Sequence, residues 1–501
     1  MVESIQQKCT LWMDGSLFFR GILGFFNLLA RFFEGSVLVQ LFSADFDRER
    51  LRRSFFVRIV EDILNRFPKI LRPQDETAIT PAPAWLQGSF LFRFLTDAME
   101  TPITSFKWLI AAFPAWGLLA VVVGAPFLPT MMVAGMLVVV FAATLFRYNF
   151  KLDLTSIPLL LFIVITLFTG FMSPVAAYSI PIAVLTAIMM SSYLLVKACF
   201  TTRKRIDFVI AVFIIAAAVT ALVGISQIYT SYMHMAWVDR DVFAALSTRI
   251  YATFANPNVY GTYLLLAIPL AAVCMLYAKN IWYKLFAAGI TGLLVIALAL
   301  TYSRGGYLAL TATVFIFLVL IEKRLIVLFA AGVAAMPLVL PASIIGRIVS
   351  IFNFAAWDSS TIYRISIWQA SLRIIGDFWM AGIGQGAEAF NNAYPYYAFS
   401  AVTALHAHNL FLQIFLETGV VGLLVFLGIL ACFFRTQFSF MRHTTDQRRK
   451  YLSATMIAAV VGFLLQGIFD HSFHNYRVML MFYLFIGIAN AITEAKTGIE
   501  A

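Results

Sequence analysis

The sequence predicts an all-α polytopic integral membrane protein with about 12 transmembrane helices and a large external loop before the tenth span. The chain has 501 residues, of which 61% are hydrophobic and only 12% are charged, whereas a soluble domain has about 25% charged residues. The mean hydropathy is +0.87. Apolar runs of roughly 18 or more residues recur along the chain, and this is the length that crosses a bilayer as a helix.

Hydropathy divides the chain into an N-terminal extension, residues 1–104, and a transmembrane domain, residues 105–501. Two long loops interrupt the spans at 229–256 and 343–408. The predicted spans are 106–128, 129–146, 154–172, 177–200, 206–228, 257–278, 284–302, 305–321, 325–342, 409–434, 452–470 and 476–494. The extension contains "SLFFRGILGFFNLLARFFEG" and "DFDRERLRRSFFVRIVEDILNRF". Their aromatic and arginine content predicts short helices on the inner membrane surface, with an accessory role in anchoring or partner binding.

The positive charges predict the orientation of the spans. Basic clusters at 203–205, 322–324 and 448–450 should be cytosolic, because cytosolic loops carry excess Lys and Arg. An even number of spans then places both termini in the cytosol and both long loops outside. On this map all eleven lysines are cytosolic. The external segments contain arginine but no lysine and no cysteine, so no structural disulfide is expected. The net charge of +11 favours anionic lipid headgroups as neighbours, not nucleic acid.

The residues suited to chemistry cluster on the external face, and no comparable cluster is predicted on the inner face. They lie in "TYSRGGYLAL" (301–310), "YRISIWQASLRIIGDFWMAGIGQG" (363–386), "HAHN" (406–409) and "DHSFHNYR" (470–477). Guanidinium groups make bidentate contacts with phosphate oxygens, and a histidine can take a proton from a hydroxyl. Since ATP and nucleotide sugars are cytosolic, a transferase on the outer face needs a preactivated lipid-linked donor.

These motifs resemble the bacterial O-antigen ligase and O-antigen polymerase superfamily over residues 106–495. The ligase pattern is His-Asn, nine residues, Gly, two residues, Gly, and it is matched here by His408-Asn409, Gly419 and Gly422. "SRGG" at 303–306, preceded by Tyr302, resembles the family's arginine turn. Arg364 with Trp368, followed by "GIGQG", resembles the stretch before the histidine loop, and "FANPNVYGTYLLLAIPL" (254–270) also resembles a family segment.

The resemblance implies transfer of a saccharide from an undecaprenyl-diphosphate-linked donor to a hydroxyl acceptor on the external face of the bacterial inner membrane. His408 would be the general base, and Arg304 and Arg364 would hold the diphosphate. Arg373 is a further candidate for the donor, although it could simply pair with Asp377. The family implies inversion of the anomeric centre without metal or cofactor. The implied partners are the donor, membrane lipids and a glycan, lipid or protein acceptor, with no nucleic acid.

Other residues are predicted to support the site. Asn409 is a plausible helix cap. Glu417 lies inside a predicted span and is expected to be structural, with Gln413 or a neighbouring helix as its partner. Gly419 and Gly422 are expected to allow close helix packing. The remaining candidates are His406, Ser303, Tyr302, Asp470 and His474. Asp470, His471, His474 and Arg477 could either complete the wall of the site or satisfy one another in a tight turn.

Two alternatives remain open from the sequence. A transporter of lipid-linked sugars would place ionisable groups near the bilayer midplane, where Glu417 stands nearly alone. A polymerase of the same superfamily would perform the same chemistry with a second lipid-linked glycan as acceptor. The sequence does not separate a ligase from a polymerase.

Overall fold

The computed structural model describes residues 55–66, 106–147, 150–229, 249–339, 341–349, 359–398 and 404–495. In these ranges the chain forms 16 α-helices and no β-strand. The α-helices are α1 (Phe55–Arg66), α2 (Phe106–Gly124), α3 (Thr130–Arg147), α4 (Ser156–Met172), α5 (Ala176–Cys199), α6 (Arg203–Ser226), α7 (Pro257–Tyr277), α8 (Ile281–Leu300), α9 (Arg304–Ile321), α10 (Ile326–Val339), α11 (Ala342–Val349), α12 (Ser359–Phe378), α13 (Ala387–Ala393), α14 (Leu410–His443), α15 (Gln447–Phe469) and α16 (Tyr476–Glu494).

All 12 segments predicted from hydropathy are helical in the structure. Eight helices are long and apolar enough to cross a membrane, namely α5 to α9 and α14 to α16, and three shorter apolar helices lie in α2, α3 and α4. The class of a polytopic helical membrane protein is therefore confirmed. The count of 12 spans stays a prediction, because length and composition alone support eight.

Polar side chains define where many of these helices begin. The side chains of Asn256, Ser303, Asn409, Asp446 and Asn475 each accept a hydrogen bond from a backbone N–H in the first turn of the following helix. Such caps satisfy amide groups that a helix leaves without an internal partner. The caps matter for the candidate site, because Ser303 and Asn409 directly adjoin the predicted arginine and histidine of that site.

The bundle has a buried centre and a lipid-facing periphery. In the most apolar stretch of α16, 89% of the residues are buried, against 17% in α9. α5 packs extensively along α16, and α15 packs along α9 and α7. Exposed apolar side chains such as Trp282, Phe286 and Val164 surround this core. An apolar surface of this kind suits a bundle surrounded by hydrocarbon, where a helix satisfies its backbone polar groups within the segment.

The second long loop is folded where the structure describes it. α12 and α13 pack against the first turns of α14 through Ile367, Ile374, Phe390 and Leu416, which belong to a separate apolar cluster. The loop therefore covers the end of the bundle that carries the histidines. Hydropathy predicted a loop here because neither helix is long and apolar enough to span a membrane.

A buried polar network lies at the end of the bundle opposite the histidines. Lys197 contacts Asp153 at 2.6 Å, and the Tyr193 hydroxyl donates to the same carboxylate at 2.7 Å. The Asn490 amide donates to the Tyr193 hydroxyl at 2.7 Å and accepts from Gln437 at 2.9 Å. Its members come from four segments, and only Tyr193 and Lys197 share a helix, α5. Because these groups satisfy one another, the network fastens helices together.

The described part of the N-terminal extension is α1, which docks onto the segment before α4. The Asn65 side chain exchanges two hydrogen bonds with the backbone of Phe150, at 3.0 and 2.8 Å. The Leu152 N–H donates to Glu61 at 2.8 Å. This attachment holds α1 at the end of the bundle opposite the histidines. The rest of residues 1–104 lies outside the described residues.

The predicted orientation can be tested with two introduced cysteines. Tyr396, after α13, is 86% exposed, and Thr445 is an exposed residue between α14 and α15. With a permeabilised outer barrier and an intact inner membrane, we expect Tyr396→Cys to react with an impermeant thiol reagent. Thr445→Cys should react only after lysis, and the unsubstituted protein measures the background from native cysteines. The opposite labelling would contradict the external position of the candidate site.

Candidate active site

The candidate site is built around a pair of residues, His408 and Asp470. Nδ1 of His408 donates to Oδ1 of Asp470 at 3.0 Å, and the two side chains are 19% and 2% exposed. Although burial raises the pKa of Asp470, its hydrogen bond with His408 and the charge of Arg364 hold that pKa well below its usual value. An ionised Asp470 fixes the Nδ1–H tautomer of His408, which leaves Nε2 as the basic nitrogen.

The local sequence holds His408 in place directly before a helix. The Asn409 side chain accepts from the Leu412 N–H at 3.0 Å and donates to the Ile468 carbonyl at 2.9 Å. The predicted cap is therefore confirmed, and it also ties the histidine loop to the end of α15. His408 has φ of 47°, a left-handed conformation that non-glycine residues rarely adopt and that often marks a functional site.

Other imidazoles lie beside His408. The rings of His406 and His474 stack with centroids 4.5 Å apart, and the ring of His406 is 4.2 Å from that of His408. Burial, together with the nearby His474 and His408, lowers the pKa of His406 to about 2. Burial likewise places the pKa of His471 well below its usual value. His406 and His471 are therefore neutral near pH 7. The sequence left open whether Asp470 and His474 form the wall of the site or a tight turn; in the structure Asp470 contacts His408 and His474 stacks on His406.

The arginine turn lies next to this cluster because a glycine allows two helices to approach closely. A Cβ atom at Gly305 would lie 2.2 Å from Oε1 of Gln466. Gln466 Nε2 donates to the Ser303 hydroxyl at 3.5 Å, and the Asp470 N–H donates to the Gln466 carbonyl. Tyr302 turns the chain with φ of 50°. Gln466 precedes Asp470 by one helical turn, so its contact with Ser303 holds the start of α9 close to Asp470.

Two of the three predicted arginines lie at this end of the bundle near His408. The Arg304 guanidinium donates to the Thr361 hydroxyl at 3.5 Å, which places it against the first turn of α12. Arg364 is one turn further along α12, and its charge lowers the pKa of Asp470 and of His406. Arg373 is exposed and lies nine residues beyond Arg364, about 14 Å along the helix axis.

A large cavity opens beside His408. Its volume is about 1320 Å³. Tyr363, His406, His408 and His474 line one part of it, and Phe162 and Met190 line another. The last two residues lie inside α4 and α5, well below the ends of these helices. The cavity thus joins a polar part at the histidines to an apolar part between α4 and α5.

Several buried polar atoms near the site have no hydrogen-bond partner among the described residues. They are Oδ2 of Asp470, Nε of Arg364, Nε1 of Trp368 and Oε1 of Gln466. Buried polar atoms are usually paired, and unpaired ones often mark a place for water or a ligand. Donors on Arg364 and Trp368, four residues apart on α12, suit the oxygens of an anionic substrate.

Three site residues also offer donors for a metal ion. The ligand atoms of His406, His408 and Asp470 all lie within 4.8 Å of one another, and imidazole with carboxylate is a donor set that zinc accepts. However, Nδ1 of His408 and Oδ1 of Asp470 are within hydrogen-bond distance of each other. A metal bound through these atoms would replace that hydrogen bond.

The paired glycines do not act as predicted. α14 is broken at Gly419, which has φ of 67°, and a Cβ atom there would lie 2.0 Å from the Met380 carbonyl oxygen. Gly419 therefore admits the backbone that follows α12, not another helix. The Val420 N–H donates to the Trp379 carbonyl at 2.8 Å. A Cβ atom at Gly422 would meet Thr418 of the same helix, so close packing between helices was the wrong expectation for both glycines.

Gly419→Ala should destabilise the protein by at least about 1–3 kcal/mol, because alanine is strained at this φ and its Cβ would clash with backbone. The measurement is the thermal unfolding midpoint of the purified protein in detergent. Gly292→Ala in α8 is the matched control, since a Cβ atom at Gly292 meets nothing within 4 Å. Equal midpoints for the two variants would contradict this role of Gly419.

Sequence reasoning missed three residues that adjoin the site. The Tyr363 ring lies edge-on to His408 with centroids 5.5 Å apart, Thr361 contacts Arg304, and Gln466 contacts Ser303. One signal was available for Gln466, which lies four residues before Asp470 and so shares its helix face. No comparable pattern pointed to the other two.

Comparison with known proteins finds a family similarity for part of the chain. Residues 289–427 match the model of a family described as O-antigen ligase. The matched region contains Arg304, Arg364 and His408, whereas Asp470 lies beyond it. No curated protein matches the chain.

Proposed function

We propose, from the match of residues 289–427 to the O-antigen ligase family model, that this membrane protein is a glycan transferase. It moves a saccharide from an undecaprenyl-diphosphate-linked donor to a hydroxyl acceptor on the external face of the bacterial inner membrane. The observation that carries the proposal is the His408–Asp470 pair at 3.0 Å, close to Arg364 and to the start of α9. Both termini would be cytosolic, and the N-terminal extension would have an accessory role.

In this mechanism His408 activates the acceptor. Nε2 takes the proton from the acceptor hydroxyl as its oxygen attacks the anomeric carbon of the donor sugar. The bond between that carbon and the diphosphate oxygen breaks, the configuration inverts, and undecaprenyl diphosphate leaves. Asp470, held ionised, orients His408 and stabilises the imidazolium that forms, the role a carboxylate commonly plays beside a catalytic histidine.

The arginines act on the leaving group. Arg304 and Arg364 would bind the diphosphate oxygens and stabilise the negative charge that develops as the bond breaks. The contact between Arg304 and Thr361 on α12 supports a joint role for the two helices. Arg373 is more distant along α12, which favours at most a peripheral contact with the donor.

The lining of the cavity supports the proposal that the substrates are lipid-linked. The polar part of the cavity contains His408, and its apolar part reaches Phe162 and Met190, so a saccharide in the polar part can coexist with an apolar chain at membrane depth. In a transporter, ionisable groups would line the path across the bilayer. Here Lys197 and Asp153 are held together in the network at the opposite end, which favours a transferase.

Ligase and polymerase activities differ only in the acceptor. A ligase would modify a lipid-anchored core or a protein, and a polymerase would extend a second lipid-linked glycan. A strain that lacks this protein distinguishes them: loss of glycan attached to its final carrier indicates a ligase, and a shortened glycan indicates a polymerase.

The proposed reaction needs no metal ion, because polyprenyl diphosphate is a good leaving group and the arginines supply positive charge. We therefore expect a chelator to leave the transfer rate unchanged in reconstituted membranes. Complete loss on chelation that is restored by a divalent metal would contradict this expectation. It would direct attention to His406, His408 and Asp470 as ligands.

A further inference from the structure

We propose that Glu417 and Gln413 are positioning residues that hold the histidine loop, residues 406–408, in register with Asp470. This inference rests on the proposed function, in which His408 is the base. Neither residue carries out the chemistry. Both act through the backbone between the two histidines.

Glu417, Gln413 and the Ala407 amide form a chain of hydrogen bonds, here called the relay. It begins at the Ala407 amide, between His406 and His408. Ala407 is fully buried, and its N–H donates to Oε1 of Gln413 at 2.7 Å. The next amide in the loop, that of His408, donates to Nδ1 of His406 at 3.3 Å. The backbone of the loop is thus held at consecutive residues, once by a side chain of α14 and once by the loop itself.

Glu417 fixes the orientation of the Gln413 amide. Nε2 of Gln413 donates to Oε1 of Glu417 at 2.9 Å. Since Oε1 of Gln413 accepts from Ala407, its NH₂ group must find an acceptor in this buried place, where Gln413 is 1% exposed. A buried NH₂ group without an acceptor would destabilise this orientation of the Gln413 side chain. A carboxylate one helical turn away meets this requirement.

Glu417 is itself held by the turn between α12 and α13. The Gly386 N–H donates to Oε1 of Glu417 at 3.2 Å, and the side-chain amide of Gln385 donates to the backbone carbonyl of Glu417 at 3.4 Å. The break of α14 at Gly419 brings this turn against the helix, because it admits the backbone at Met380. The relay therefore links the turn after α12 to the histidine loop through one face of α14.

The relay predicts which substitutions matter. Gln413→Leu and Glu417→Ala remove links, and they should lower kcat by about 10- to 100-fold, because a displacement of about 1 Å can cost that much. The KM for the donor should change little, since the arginines hold the diphosphate. Glu417→Gln keeps an acceptor oxygen for Gln413 and Gly386, so it should retain most of the activity.

The matched control is Gln227→Leu. Gln227 accepts from the backbone N–H groups of Tyr251 and Ala252 at 3.1 and 3.0 Å, so it holds another loop at the same end of the bundle. Gln227→Leu should destabilise the protein about as much as Gln413→Leu does, but kcat of the folded protein should not fall. Glu417→Asp, which keeps the charge but is one methylene shorter, covers the case in which the larger changes prevent folding, and it too should lower kcat.

The test uses the full-length protein in liposomes made with the lipid extract of a strain that lacks it, which supplies both donor and acceptor. Undecaprenyl diphosphate release gives kcat and KM per folded protein, and hydrogen–deuterium exchange reports the Ala407 amide. We expect faster exchange and lower kcat in Gln413→Leu and Glu417→Ala, but not in Glu417→Gln. Unchanged exchange of the Ala407 amide together with a normal kcat, in Gln413→Leu or in Glu417→Asp, would overturn the relay. A loss of kcat in Glu417→Gln as large as that in Glu417→Ala would also overturn it. Failure of the wild type to release undecaprenyl diphosphate would contradict the proposed function instead, while exchange would still test the relay.

Discussion

His408→Ala should lower the rate of glycan transfer by about 10²–10⁴-fold, the usual contribution of general-base catalysis, while membrane insertion and donor binding stay largely intact. The base acts on the acceptor hydroxyl, so the diphosphate contacts do not depend on it. The loss of the partner of Asp470, which is 3.0 Å away in the wild type, should affect catalysis far more than assembly. The measurement is transfer from purified donor in reconstituted membranes.

Two other histidines provide the comparison for this variant. His406→Ala should reduce the rate less, because the low pKa of about 2 makes His406 a poor base and its ring contacts are structural. His443→Ala lies at the other end of α14, where Nδ1 donates to the Ser439 carbonyl at 2.8 Å, and it should leave the rate unchanged. A near-normal rate for His408→Ala would remove His408 from its assigned role.

Arg304→Lys and Arg364→Lys should each lower kcat/KM for the donor by about 10²-fold, the scale seen when one preorganised donor to a developing charge is removed. Lysine keeps the charge but cannot make the two-pronged contact with phosphate oxygens. The loss should appear with any acceptor, because the diphosphate is common to every donor. Donor binding and single-turnover release of undecaprenyl diphosphate measure the effect.

Arg373→Lys is the comparison for these arginine variants. The side chain is exposed and nine residues from Arg364, so we expect a clearly smaller loss. Tolerance of lysine at both Arg304 and Arg364, with normal donor kinetics, would contradict a bidentate phosphate site.

The helices and the core of the site could be predicted from the sequence because both follow local rules. A hydrophobic run of sufficient length forms a helix in a bilayer wherever it occurs, and a side-chain cap such as Asn409 acts within one turn. The arginine turn and the histidine loop are short motifs whose common position follows from counting spans. These features need no knowledge of how the helices pack.

Features that depend on packing could not be predicted. The partner of His408 is 62 residues away, and the sequence left open whether Asp470 faces the site or its own turn. Gly419 has a role set by the backbone of Met380, which belongs to a loop that hydropathy left without structure. The network around Asp153 and Lys197 escaped notice because burial, not spacing, brings its members together.

The most direct test of the account is whether purified protein releases undecaprenyl diphosphate from a purified undecaprenyl-diphosphate-linked glycan. The reaction is followed in liposomes that contain acceptor lipids extracted from a deletion strain. We predict release in proportion to glycan transferred, and loss of both in His408→Ala. Movement of intact donor across the bilayer without cleavage of its sugar–phosphate bond, equal in wild type and His408→Ala, would instead identify a transporter and contradict the account.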